Sequence, residues 1–190
     1  MNIPEEKSRR EALIDAAAHL FRSKGYERTS VRDLAQAVGM QSGSLFYHFR
    51  SKKEILEAVM AQGVGEITTS ARAALQNISD PRQRLSTLLQ VHLAALLGSR
   101  QHALEVLLYE WDSLEPDARE RIVRLRDEYE NIWQQALDSA ACAGLIPDDT
   151  GLLRKMLFGS LNWTAQWFRP SGDLTIEQLA ERMLKLFIRA

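Results

Sequence analysis

The sequence predicts an all-α protein of about nine helices, with a small three-helix head over residues 1–53 and a larger helical domain over residues 54–190. Two observations predict it. Apolar residues recur three and four positions apart along almost the whole chain, and no alternating strand pattern lasts beyond a few residues. Recognisable start and stop residues then cut that pattern into lengths usual for globular helices.

The first helix is expected from about Glu5 to Lys24, with Leu13, Ala16, Ala17, Leu20 and Phe21 on one face and Gly25 as its stop. Ser30 and Asp33 give a capping-box-like start to the second, which ends at Gly39, and a short third covers about Ser42 to Phe49. Ser51 and Glu54 form the S-x-x-E box of a fourth helix that begins with Lys52 and continues towards Gln76. Gly63 and Gly65 lie inside it, each costing about 1 kcal/mol relative to alanine, and are read as a bend. Asp80-Pro81 opens a fifth helix to about Gly98, because proline tolerates the first helical position. Helix six spans about Gln101 to Trp111, helix seven follows Glu115-Pro116 to Ala143, helix eight runs from near Asp149 to before Arg169-Pro170, and helix nine fills Thr175 to Ile188.

With 190 residues, 45% of them hydrophobic, the chain can bury a sizeable core. No stretch approaches the roughly 20 apolar residues of a membrane span, and Met1 to Arg10 is too polar for a secretory signal, so a cytoplasmic protein without membrane contact is expected. Cys142 is the single cysteine, which excludes an intrachain disulfide; it reads as a buried small apolar residue, and no Cys/His cluster has zinc-ligand spacing. The net charge of −1 hides an asymmetry. Residues 1–53 carry ten lysines and arginines against six acidic residues, and between Arg22 and Lys53 the balance is seven to two.

That basic stretch contains the most informative segment, Val31 to Phe49. Ala35 is small where two helices must cross closely, and Gly39 permits the positive φ of a sharp turn. Val31, Leu34, Val38, Leu45 and Phe49 form a shared apolar seam. The pattern is a helix-turn-helix whose outer face carries Gln41, Ser42, Ser44, Tyr47 and His48, groups able to reach base edges or phosphates. Lys52 and Lys53 follow at a helix start, where ammonium groups and the helix dipole favour a phosphate.

The run from Thr29 through Ser-Val-Arg-Asp-Leu-Ala to Ser-Leu-Phe-Tyr-His-Phe49, continuing into Ser51-Lys52, resembles the N-terminal signature of TetR repressors over about residues 8 to 60. The resemblance implies a homodimeric repressor of palindromic operator DNA, with Arg32, Gln41, Ser42 and Ser44 facing bases. It likewise implies phosphate contacts from Thr29, Ser30, Tyr47, His48 and Lys52. The family usually has tyrosine where this chain has Phe46, so a phosphate contact is missing or supplied by Tyr47, and Gly43 adds no side chain for readout.

Beyond Lys52 the sequence carries no sharp motif. Leu88, His92, Leu96, Leu108, Trp111, Trp133 and Leu161 recur at helical spacings and are read as lining an effector pocket, although a solid core suits most individual positions. The stretch from Gly159 to Thr175 resembles the end of TetR regulators of fatty-acid or steroid catabolism that respond to acyl-CoA thioesters. This implies an acyl-CoA or other lipid-like effector, with Arg119, Arg121, Arg124 or Arg126 as phosphate partners; a solvated helix face is the plainer reading of those arginines. Gly159 and Ser160 allow close helix approach, and Trp163, Trp167 and Phe168 supply anchors for a dimer interface. A helical enzyme acting on an acyl-CoA-like substrate and a dimeric scaffold without DNA binding are the competing classes. No nucleophile with a base, metal set or phosphate loop appears, since Cys142, His19, His92 and His102 are scattered, so neither catalysis nor a cofactor is implied.

Overall fold

The computed structural model describes residues 3–98 and 101–188. Among them are nine α-helices: α1 (Ile3–Lys24), α2 (Val31–Ala37), α3 (Ser42–Leu45), α4 (Lys52–Ala74), α5 (Pro81–Leu97), α6 (His102–Tyr109), α7 (Pro116–Cys142), α8 (Thr150–Trp167) and α9 (Ile176–Phe187), with a 3-10 turn at Trp111–Ser113. None is long and apolar enough to cross a membrane.

Local chemistry sets most of the boundaries. Ser30 caps α2 in a reciprocal capping box with Asp33, Asp80 accepts from the Gln83 N–H ahead of Pro81, and Asp149 accepts from the Leu152 N–H. Gly39 supplies the turn between α2 and α3 at φ +68°, a conformation that penalises a Cβ. Two features depart from the sequence reading. α3 closes at Leu45, and residues 46–49 continue through tight bonds such as Tyr47 N–H to Ser44 O at 3.2 Å and Phe49 N–H to Leu45 O at 3.1 Å. Docking of buried Leu45 and Phe49 into the seam ends the regular helix there. Cys142 is exposed rather than buried, because α7 ends at that residue. Gly63 and Gly65 lie inside α4, where the sequence places them.

The chain forms two compact units, one running to Gly63 and resuming over His102–Arg124, the other taking Val64–Gln101 and continuing from Leu125. In the first, α1 packs on α2 and α6, and α2 packs on α3. Leu13, Ala17 and Phe21 of α1 join Leu34, Ala35, Leu45, Phe49, Ile55 and Val59 in its core. In the second, α5 packs on α8 and α9, burying Leu85, Leu88, Leu89, Leu93 and Leu96 with Leu157, Leu161, Leu179 and Leu184.

Gly63 marks a close approach. A Cβ there would stand 3.0 Å from the Ala103 Cβ and 3.1 Å from the Ala103 carbonyl carbon, whereas one at Gly65 meets nothing within 4 Å. Gly63→Ala is therefore expected to destabilise by about 1–3 kcal/mol through overpacking. Gly65→Ala should be neutral or stabilise by up to about 1 kcal/mol through helix propensity. Chemical denaturation of the two variants checks the contrast; equal effects would remove the close-packing role of Gly63.

Candidate nucleic-acid interface

The apolar seam makes the site. Leu34, Ala35, Leu45 and Phe49 are buried, so the opposite sides of α2 and α3 face outward. On that outer surface Arg32 and Gln41 are exposed, Ser42, Ser44 and His48 are half-buried, and Tyr47 is 88% exposed. Arg32 has no ion-pair partner among the described residues. Phe46, which precedes Tyr47, is 52% exposed and brings no polar atom, so the exposed hydroxyl at this helix end belongs to Tyr47.

Three of the sequence-predicted phosphate contacts are engaged within the fold. Thr29 is buried, and its hydroxyl donates to Gly25 O at 2.8 Å. The Ser30 side chain is exposed but committed to Asp33, accepting from its N–H and donating to Oδ2 at 2.8 Å. The Lys52 ammonium turns inward, donating to Tyr26 O at 3.0 Å and Thr29 O at 3.1 Å, and lies 4.2 Å from the Tyr26 ring centroid. Lys53 pairs with Glu115. The start of α4 is occupied too, because Ser51 Oγ accepts from the Glu54 N–H and Glu54 Oε2 accepts from the Arg50 N–H at 2.6 Å. Sequence spacing alone placed these lysines at a helix start; carbonyls 23 and 26 residues earlier decide where Lys52 points.

Tyr26 is a junction that the sequence reading missed. Its N–H donates to Glu110 Oε1 at 3.0 Å, its carbonyl accepts from Lys52, and its ring packs edge-on to Phe21 with centroids 5.2 Å apart. The loop that delivers Ser30 to α2 is thus gripped from the end of α6 and the start of α4. Lys24 pairs with Asp33 at 2.6 Å, and this ammonium together with the Ser30 N–H and hydroxyl holds the Asp33 carboxyl far below the usual carboxylate range.

The second unit contains a buried polar and aromatic cluster. His92 on α5 lies 3.1 Å from the Tyr129 hydroxyl through Nδ1 and 3.1 Å from Asn162 Oδ1 through Nε2. An amide oxygen only accepts, so Nε2 carries the ring proton and Nδ1 accepts from Tyr129. The Trp133 and Phe158 rings close around them, 5.5 Å apart by centroid, and each lies edge-on to His92. Burial pushes His92 down to about 4, keeping it neutral, and raises the Tyr129 phenol. The Trp133 indole N–H is buried next to the Tyr129 hydroxyl without forming a well-aligned hydrogen bond.

Of the residues expected around an effector, Leu88, His92, Leu96, Trp133 and Leu161 are buried in this unit, whereas Leu108 and Trp111 belong to the other unit and are half-buried there. Tyr129 with Trp133, and Phe158 with Asn162, are i,i+4 pairs on α7 and α8, a spacing that could have flagged both. The arginine run on α7 is taken up largely by surface pairing. Arg119 donates to Leu114 O and Asp112 O, Arg121 grips Glu57 at 2.8 Å, and Arg126 pairs with Glu130.

On α8, Leu152, Met156, Gly159, Trp163 and Trp167 follow one another at steps of three or four and are all exposed, with Ser160 beside them. Phe168 departs from the expected interface set. It is 8% exposed, because the chain turns inward at the end of α8, where the Phe168 N–H caps Thr164 O.

Residues 13–59 match the sequence model of bacterial regulatory proteins of the tetR family. Residues 79–190 match that of the tetracyclin repressor-like C-terminal domain. The HTH-type transcriptional repressor KstR2 of Rhodococcus jostii (strain RHA1) is 28% identical over 188 residues, covering 96% of this chain and 91% of the relative. Among solved structures, superantigen PfiT is 47% identical with a TM-score of 0.85, covering 96% of this chain and 97% of that one. AibR in complex with isovaleryl coenzyme A and operator DNA is 28% identical with a TM-score of 0.86, covering 94% and 97%.

Proposed function

Because the chain belongs to the tetR family of bacterial regulatory proteins, we propose that it represses transcription by binding palindromic operator DNA as a homodimer, and that a small hydrophobic or acyl-CoA-like effector releases it. The observation that carries this reading is the outer face of α2 and α3. Arg32, Gln41 and Tyr47 stand exposed on a seam that fixes their relative positions, the condition for reading a major groove. Ser42, Ser44 and His48 complete that face. Arg32 and the three residues of α3 and its cap are assigned to bases, Tyr47 and His48 to phosphates. Ser30, whose N–H and hydroxyl both go to Asp33, acts by fixing the start of α2, while Thr29 and Lys52 act by holding the loop before it. Likeness of fold alone does not assign DNA binding, as PfiT's description as a superantigen illustrates; the exposed side chains of α2 and α3 support it here. Operator binding places the protein's work in the cytoplasm and gives it no catalytic role. Turnover of an acyl-CoA by the purified protein would contradict that part.

The His92 cluster is the proposed effector site, lined by Leu88, Leu96, Trp133 and Leu161 together with Tyr129, Phe158 and Asn162. Its support is the buried indole N–H of Trp133, which makes no well-aligned hydrogen bond within the cluster and to which a carbonyl or thioester oxygen could bond. Isovaleryl-CoA, the ligand of AibR, is the first probe to titrate against a protein–operator complex. Release that is lost in His92→Gln, with DNA binding retained, supports the site; unchanged release removes it.

The exposed stripe of α8 is the proposed dimer interface, through Gly159, Ser160, Trp163 and Trp167 with Leu152 and Met156 added. Trp163→Glu buries a charge where an aromatic anchor would sit and is expected to weaken the dimer by at least about 2 kcal/mol, roughly thirtyfold. Analytical ultracentrifugation over a dilution series measures this, and an unaltered dimer would move the interface elsewhere.

A further inference from the structure

We propose that His19 and His102 form a two-histidine site for a divalent transition-metal ion such as Zn2+ or Ni2+, bridging α1 and α6. The two residues are 83 positions apart, beyond the reach of any ligand-spacing pattern, and the fold brings His19 Nδ1 to 3.4 Å from His102 Nε2. Two nitrogens bound about 2.1 Å from one tetrahedral ion are themselves about 3.4 Å apart. Ring orientation points the same way. The centroids are 5.0 Å apart with the planes at 71°. Rings meeting at a shared ion would place their centroids about 5.2 Å apart, whereas a straight N–H···N bond of the same length would separate them by about 5.7 Å. The observed 5.0 Å is nearer the shared-ion separation than that of a straight hydrogen bond.

The surroundings of His102 fit a metal-bound imidazole. Its other nitrogen, Nδ1, is buried without a hydrogen bond and faces Glu105 Oε2 at 3.7 Å. Glu105 is 4% exposed, and its carboxylate is fixed by Arg22 Nε at 3.0 Å. A carboxylate behind the distal nitrogen favours the proton on Nδ1 and leaves the Nε2 lone pair for the ion, the usual support of a ligating histidine. The Arg22 charge opposes a cation nearby, and the Glu105 carboxylate between them offsets it. His19 is exposed and the His102 side chain is 36% exposed, so an ion can enter from solvent. No group of three His, Cys, Asp or Glu side chains converges among the described residues, so water completes the coordination and the ion exchanges freely. Neutral imidazole nitrogens suit Zn2+, Ni2+ and Cu2+ and disfavour Mg2+ or Ca2+. Bound there, the ion ties α1 to α6 and stabilises the unit that carries the helix-turn-helix.

The test uses tag-free full-length protein carrying Cys142→Ser, which removes the exposed thiol as a competing ligand. Zn2+ is titrated by calorimetry and the melting temperature followed with Zn2+ or with chelator, comparing this protein with versions that add His19→Ala, His102→Ala or His48→Ala. The expected result is one ion per chain and a Zn2+-dependent rise in melting temperature. Affinity should fall by more than about tenfold in both of the first two variants and stay unchanged in the third. Absence of Zn2+ binding, or equal affinity with and without His19, would overturn the site and leave a histidine pair sharing one proton. Should His102→Ala fail to fold, the exposed His19 position alone decides between these results.

Discussion

Trp133→Ala is expected to destabilise the protein by about 3–5 kcal/mol, the range for emptying a large aromatic site in a packed core. Trp133 is fully buried and touches the Phe158 and His92 rings, so its removal opens a void lined by groups that cannot collapse onto one another without breaking the His92 hydrogen bonds. Trp133→Phe keeps most of the ring volume and removes an indole N–H that makes no well-aligned hydrogen bond, so it should cost much less than alanine. Urea midpoints at unchanged m-value measure both variants. A cost below about 1 kcal/mol for alanine would mean that the cluster is not closely packed, and an effector could then enter without rearrangement.

The second large effect is a pH dependence set by His92. Burial lowers its pKa from 6.5 to about 4, so between those values the unfolded chain binds a proton that the folded chain does not. Stability from this group is therefore complete above about pH 6.5 and declines as pH falls towards 4. The total change is about 3 kcal/mol. Hydrogen bonds at both ring nitrogens, Nε2 donating to Asn162 and Nδ1 accepting from Tyr129, hold the imidazole in place while it remains neutral, and Tyr129, whose phenol is raised, stays protonated throughout this window. In His92→Gln the pH slope attributable to this residue should disappear, whatever the variant's absolute stability. The check is a denaturation series between pH 4 and pH 7. An identical slope in both proteins would assign the acid sensitivity to other groups.

Both predictions concern residues whose roles were only partly legible in the sequence. Helix starts at Ser30, Asp80 and Asp149 could be read directly because a cap is a contact across three residues. The seam of Leu34, Leu45 and Phe49 was legible for a similar reason, since helical spacing and one glycine turn define it. What escaped was set by residues distant in sequence. Lys52 looked like a surface phosphate contact until the carbonyls of Tyr26 and Thr29 turned its ammonium inward. His92 and Trp133 were visible as members of an apolar pattern, but Tyr129, Phe158 and Asn162 become their partners only when α5, α7 and α8 meet. Phe168 reads like its neighbours Trp163 and Trp167, yet lies beyond the last turn of α8, where the helical face no longer predicts direction. Boundaries and local turns follow from the chain itself, whereas side-chain destinations at helix ends depend on whatever packs against them.

The outer face of α2 and α3 is expected to read operator DNA. Selection of bound fragments from genomic or random DNA by the purified protein, followed by affinity measurement on the enriched sequence, tests it most directly. The expected result is an enriched inverted repeat bound by a dimer, with affinity that falls steeply as salt rises. Tyr47→Ala should weaken binding about tenfold or more across sequences, as loss of a phosphate contact does, while Arg32→Ala should relax selectivity at one position of each half-site by about 1–3 kcal/mol. Recovery of no enriched repeat, or an operator bound equally well by both variants, would contradict it.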